Sequence, residues 1–307
     1  MKNKKTGILS VLAILMAANL NAQNLLERYE IGLCGSAGLS ALHFTTADGS
    51  KPSYSAGYAF GMDIAVLFAE RWAFRTGVNM SAYHASVAFG KLETRTQIPS
   101  PLELPDGMTT EYDQFYLITE YSGYEELHKA IYLRFPLMVQ YQMKADAKRN
   151  FYVAAGLQVG IGANTVYMLR SDDVVTKGYS DHTMQYYEFQ DFSEYGEDFS
   201  KHGLDKYENV KSMNKSDFGL VLSGALETGL RWKLRNEMAL YTGIFLDYSF
   251  NDVRRDSPTN GSINYDDKGA HTFNSFLQSQ SDGTPMTGKI HPLAVGLRLR
   301  WSMLFKK

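Results

Sequence analysis

The sequence predicts an all-β chain that closes into an antiparallel up-and-down barrel of about eight strands and spans a membrane. Three observations predict it. Eight segments alternate apolar and polar residues with a period of two, which marks strands with two chemically different faces. The links between them alternate as well, short and then long, as in a barrel with tight turns at one rim and large loops at the other. The polar face is also made of Gly, Ala and Ser with isolated charges, the filling that a narrow lumen takes. A soluble secreted barrel, the competing reading, has an outer polar face rich in Lys, Thr, Glu and Gln instead.

The chain opens on an export signal over residues 1–22. Lys2, Lys4 and Lys5 precede an apolar run from Ile8 to Ala18, and Ala22 stands at a cleavage point before Gln23. That run is shorter than the roughly 20 residues a helix needs to cross a bilayer. Residues 23–307 are expected to form one barrel domain. No later segment resembles a membrane helix, and lipid offers no hydrogen-bond partners to an open sheet edge, so crossing requires closure.

The strands follow in order. Tyr29 to Leu42 sets Ile31, Leu33 and Leu39 against Glu30, Gly32, Ser36 and Gly38. Phe60 to Phe68 opposes Met62, Ile64 and Val66 to Gly61, Asp63 and Ala65, and Trp72 to Ser81 opposes Phe74, Val78 and Met80 to Arg75, Gly77 and Asn79. Ile131 to Gln142 and Phe151 to Ala163 continue the pattern. In Phe218 to Lys233, Phe218, Leu220, Leu222 and Leu226 share a face opposite Ser223, Glu227 and Arg231. Met238 to Phe250 and Leu293 to Phe305 complete the set. Short links lie at Glu70–Arg71, Ala145–Asn150 and Leu234–Glu237, with a medium loop at Thr45–Ser53. Long loops are expected over 88–127, 167–216 and 253–289, in part as hairpin extensions around Glu111 to Tyr121. An even strand number puts both termini at the short-turn rim, which is expected to be periplasmic.

The polar face gathers Arg75, Arg134, Arg231, Arg298 and Arg300 with Glu30, Asp63, Glu227 and Asp247. Buried charge is tolerated only when paired and hydrogen-bonded, so a plug of interlocked ion pairs is expected. A narrow polar conduit is the alternative. Trp72, Tyr141, Trp232, Trp301 and Phe305 cluster at strand ends and are expected as interfacial aromatics.

Composition bounds function. The 31 basic and 33 acidic residues leave no electrostatic footprint for nucleic acid. Cys34 is the single cysteine, so no intrachain disulfide forms, and a small packing role on a strand is expected. The histidines at 43, 84, 128, 182, 202, 271 and 291 lack metal-ligand spacing, and Glu125-Glu126-Leu127-His128 lacks the second histidine of a zinc-protease helix. No phosphate loop or nucleophile elbow appears. Ser81, Tyr83 and His84 are the rim residues that a lipid-modifying enzyme could use. The expectation is a non-enzymatic chain with no catalytic residues, metal or cofactor. The acidic and aromatic stretch 171–215, with Asp172, Asp173, Tyr179, Asp181, Tyr186 and Tyr187 among its residues, suits recognition, or a loop packed on its own aromatics.

Ile131-Tyr-Leu-Arg-Phe-Pro-Leu-Met-Val-Gln-Tyr141, followed by Phe151-Tyr-Val-Ala-Ala-Gly-Leu-Gln-Val-Gly160, resembles the outer-membrane barrel domains of Bacteroidetes, the PorT-like and OmpA-like group. Asp217 to Trp232 and Leu240 to Ser249 resemble later strands of the same group. The resemblance implies a Gram-negative outer-membrane location. It also implies a role as structural barrel, surface receptor or accessory subunit of a secretion or adhesion apparatus. Some relatives carry a C-terminal peptidoglycan-binding domain, which is not expected here, since the sequence stops directly after the last strand. Expected partners are outer-membrane lipid and lipopolysaccharide, and envelope or extracellular proteins or glycans met through the three long loops.

Overall fold

A computed structural model of the protein describes residues 28–46, 53–99, 114–181, 184–187, 204–235, 237–255, 258, 260–265 and 271–306. Its strands are β1 (Arg28–His43), β2 (Ser55–Leu67), β3 (Trp72–Pro99), β4 (Gln114–Lys144), β5 (Arg149–Ser180), β6 (Gln185–Tyr187), β7 (Lys206–Lys215), β8 (Val221–Lys233), β9 (Met238–Ser249), β10 (Ile263–Tyr265), β11 (His271–Phe273), β12 (Gln280–Ser281), β13 (Thr284–Pro285) and β14 (His291–Lys306). The export signal expected over 1–22 lies outside the described residues. Among the described residues no helix is long and apolar enough to cross a membrane, which says nothing of strands.

Eight strands pair antiparallel in a ring, β1-β2-β3-β4-β5-β8-β9-β14, and β14 returns to β1 with Arg28 opposite Lys306 and His43 opposite His291. Tight turns join β2 to β3, β4 to β5 and β8 to β9. In the second of these Asp146 accepts from the backbone N–H of Lys148 and Arg149. The faces are sorted as a membrane barrel requires. Leu33, Met62, Leu157, Ile244 and Leu297 point outward and are exposed, whereas Glu30, Asp63, Arg75, Arg134 and Asp247 point inward and are buried. Water would reverse that sorting, because apolar surface is what it expels. Tyr58 in β2 and Phe68 just past its end stand about 33 Å apart along the strand direction. At the usual tilt that is about 25 Å along the membrane normal, the height of the apolar band of such barrels.

Three strands are far longer than a membrane needs. A spanning strand takes about 9–11 residues, yet β3 has 28, β4 has 31 and β5 has 32. Beyond the band they continue as a sheet joined by β7, which pairs Val166–Val175 of β5 where β8 has ended. Here the faces exchange character. On β3 the inward series runs from Arg75, Asn79 and Ser81 to Tyr83, Ala85, Val87 and Phe89, and the outward series from Phe74, Val78 and Met80 to His84, Ser86 and Ala88. Segments expected as loops over 88–127 and 167–216 are therefore largely strand, up to Pro99, from Gln114, to Ser180 and from Lys206. The physical reason is the change of solvent. Lipid rewards an apolar outer face, and water above it rewards an apolar inner one.

One crease crosses this sheet. Gly90, Gly123, Asp172 and Asn209 drop out of the ladders at the same level. Below the crease Phe89, Tyr124 and Val210 face the interior, and above it Leu92, Tyr121 and Tyr207 do. Each strand has gained one residue, as at a bulge, but in register across all four. Gly123 has φ 61° and Asn209 φ 54°. A Cβ on Gly123 would sit 2.2 Å from Asp172 Oδ2, so only glycine fits.

Candidate functional site: the lumen and its lid

Inward positions of all eight ring strands build the lumen. Near the short-turn rim Glu30 of β1 accepts from Arg231 Nη2 at 2.6 Å, Tyr241 OH at 2.6 Å and Ser302 Oγ at 3.2 Å. At mid-depth Glu227 of β8 accepts from Arg75 Nη2, from Arg298 Nη1 at 3.0 Å and from Tyr152 OH at 2.8 Å. Arg75 Nε and Arg300 Nη1 straddle Asp63, each 3.8 Å from Oδ2. Arg300 lies 3.7 Å above the Tyr241 ring and donates to Gln140 Oε1 at 2.8 Å. Toward the long-loop rim Asp247 takes Arg134 Nη1 at 2.9 Å and Gln158 Nε2 at 2.9 Å, and Arg134 reaches Tyr83 OH and Ser223 Oγ. All nine charges named from the sequence thus occupy one interior. Cys34 faces it too, its Sγ donating to Asn79 Oδ1 at 2.9 Å.

The arrangement suits holding better than passing. Five guanidinium groups and four carboxylates interlock across the barrel, so moving any one strands its partners in a low-dielectric interior. A pocket beside the Arg134–Asp247 pair, lined by Ser36, Ser40, Gly57 and Tyr83, measures about 20 Å³. That is room for about one water.

Above that space lies a lid the sequence did not reveal. The described residues between β9 and β14 fold back over the lumen and pack Phe276, Leu277, Met286 and Ile290 against Leu42, Phe44, Val87 and Phe89. Its neck is clasped by Asp252, whose Oδ1 accepts from the Arg254 N–H at 3.1 Å and the Ile290 N–H at 3.2 Å. Its tip is a 3-10 turn, Phe276–Gln278, with Ser275 as N-cap. The carboxylate of Glu126 on β4 receives that turn: Ser275 Oγ donates at 2.8 Å, Phe276 N–H at 2.8 Å and Tyr124 OH also donates, while His128 Nε2 faces the same group. Burial alone raises the Glu126 pKa, but His128, Tyr124 and the Phe276 N–H outweigh it and hold the carboxyl below its ordinary range. Tyr124, Glu126 and His128 alternate along a strand and so share one face. Read with the period of a strand rather than of a helix, their spacing was the available signal. Ser275, far away in sequence, had none.

Other expectations fall out unevenly. Trp72, Tyr141, Trp232, Trp301 and Phe305 all lie at the short-turn end. Trp72 is tilted on Tyr141 at 4.7 Å and Phe305 stacks on Tyr29 at 5.3 Å. The opposite girdle, Tyr54, Tyr58, Tyr248 and Phe250, is exposed at the other end. Phe218, expected on the lipid face, is instead buried and stacked on His128, because β8 begins only at Val221. Ser81 points into the lumen and is buried, whereas His84 points outward and bonds the Ala56 carbonyl at 3.0 Å, so the two cannot act together. Of the acidic and aromatic stretch, 188–203 lie outside the described residues. Tyr179 and Tyr186 meet at 4.9 Å near Arg95, which pairs with Asp181. Among the described residues no three His, Cys, Asp or Glu side chains are grouped to hold a metal.

Among solved structures, the chain is similar to neisserial surface protein A, with 8% identity over 89% of this chain and 96% of that one and a TM-score of 0.31. It is similar to OprG of Pseudomonas aeruginosa, with 12% identity over 92% and 97% and a TM-score of 0.31. It is also similar to a major outer membrane protein of Thermus thermophilus, with 10% identity over 90% and 99% and a TM-score of 0.33. The sequence matches no curated protein. The model of one family, the outer membrane protein beta-barrel domain, matches residues 21–253, and the chain belongs to that family.

Proposed function

We propose that this protein is a sealed, non-enzymatic barrel of the Gram-negative outer membrane that presents its projecting sheet and lid outside the cell as an interaction surface. The observation that carries the reading is the double closure: a lumen spanned by ion pairs, and above it a lid held by one buried carboxylate. A porin needs an open path, and eight strands leave little room once side chains fill the interior. The long-loop rim is assigned to the exterior and both chain ends to the periplasm, as the asymmetry of short turns and long loops supports.

Two experiments test the proposal. Proteoliposomes containing the purified protein are expected to exclude small sugars as protein-free liposomes do; swelling at rates typical of porins overturns the seal. In intact cells a membrane-impermeant maleimide is expected to label Thr284→Cys at the long-loop rim and to leave Lys233→Cys at the short-turn rim unlabelled. The reverse pattern overturns the orientation. Cys34 is buried and gives no background. The PorT-like resemblance favours an accessory role in a secretion or adhesion apparatus, served by the exposed sheet rather than by the lumen.

A further inference from the structure

Five buried nitrogens at mid-depth in the lumen have no hydrogen-bond partner among the described residues: Arg75 Nε and Nη1, Arg300 Nε and Nη1, and Gln140 Nε2. The three residues are at most 2% exposed. They form one cluster. Arg300 Nη2 donates to Gln140 Oε1 at 2.8 Å, and Arg75 Nε and Arg300 Nη1 each lie 3.8 Å from the same Asp63 oxygen, Oδ2. That distance is too long for a hydrogen bond, so Asp63 offsets charge without satisfying either guanidinium. Arg75 spends its remaining nitrogen, Nη2, on Glu227 and on the thioether of Met138, a weak acceptor.

Hydrogen bonding and charge choose the same ligand. All five nitrogens donate and none accepts, so the cluster is short of acceptors. A water molecule would bring two more donors with it, whereas an anion only accepts. The lumen's five guanidinium groups and four carboxylates also leave one positive charge over, and an uncompensated buried charge is costly. Glu126, higher up, does not cancel it, because its carboxylate is spent on the lid and on His128. One excess charge calls for one negative charge, and side chains this buried surround a small bare ion rather than a solvated one. A way in exists at the short-turn rim, where an open space of about 480 Å³ is lined by Glu30, Gln142, Asn150 and Arg231. Gln142 and Gln140 share the inward face of β4, so the cluster lies one step below that mouth.

We infer that Arg75, Arg300 and Gln140 form a binding site for one small monovalent anion, chloride, held at mid-depth in the lumen. The ion completes the network of buried charge, and the site is independent of which rim faces the exterior.

Bromide is the probe, because it matches chloride in charge, is close to it in size and scatters anomalously. In crystals of the protein grown with bromide, an anomalous difference peak is expected within hydrogen-bond reach of Arg75, Arg300 and Gln140; no peak there overturns the inference. The second measurement is thermal unfolding in detergent micelles after refolding in sodium bromide or in sodium gluconate. Ionic strength is held equal, so that screening is the same in both. Gln140→Glu supplies a tethered carboxylate and cancels the excess charge, and its own midpoints in the two salts subtract bulk salt effects. Relative to that variant, the parent is expected to gain about 2–4 °C in bromide over gluconate. An equal response of parent and variant overturns the site. Gln140→Leu removes one donor but keeps the charge, and is expected to show a smaller gain than the parent. It serves as the reference if Gln140→Glu does not fold, and a gain undiminished in it then overturns the assignment of Gln140 to the site.

Discussion

Glu227 receives three donors at the centre of the barrel, from Arg75, Arg298 and Tyr152. Glu227→Gln leaves two guanidinium groups facing a neutral amide, and breaking a buried pair in this way costs about 3–5 kcal/mol. The variant is expected to convert from compact to extended migration on gels at a clearly lower temperature than the parent. A matching loss from Lys206→Gln, on an exposed pair with Glu208, would argue against the buried network as the main electrostatic support of the barrel. Glu126 sets a pH dependence. Its pKa is depressed in the folded protein, so its contribution is complete above the ordinary value of 4.5 and is lost as pH falls through the depressed one. Asp252, also depressed, acts in the same direction. Amide exchange at Phe276 and Leu277, corrected for intrinsic rates, is expected to stay flat from neutral pH to about 5 and to rise below about 4. A rise already between about 7 and 5 would contradict control by these two carboxylates.

Among the elements, the projecting sheet was the least legible and the spanning strands the most. The outward series of β14, Leu293 through Phe305, was the clearest and its partner Ile31 through Leu39 on β1 the weakest of the eight, and both follow from lipid outside and charge inside giving opposite faces. The same rule failed on β3 beyond Ala82, where the apolar residues move to the inner face and the segment reads as irregular. At the crease the parity changes again, so Tyr121 and Tyr124 share a face although three residues apart. No fixed period survives two such changes. Gly123→Val forces a β-branched side chain into a left-handed conformation against Asp172 and costs about 1–3 kcal/mol locally. The expected result is faster proteolysis of the sheet above the crease, with the heat-dependent gel shift of the barrel unchanged. Loss of that shift would mean that crease and barrel fold as one unit.

At the scale of the whole molecule, the chain divides its chemistry by level: turns and a Trp-rich girdle at one rim, a charged lumen through the membrane, and a hydrophobic core of water-soluble type above it. The lumen charges were legible because arginine and carboxylate on a strand's small-residue face have nowhere else to go. The lid was not, since Glu126 and Ser275 meet only after the ring has closed. The proposed seal has two levels, and single-channel recording in planar bilayers at neutral pH tests it most directly. The sealed barrel predicts a quiet baseline from the intact protein, and still no large steady openings from Glu126→Ala, because the ion pairs below the lid remain. Sizeable, reproducible openings from the intact protein would contradict it.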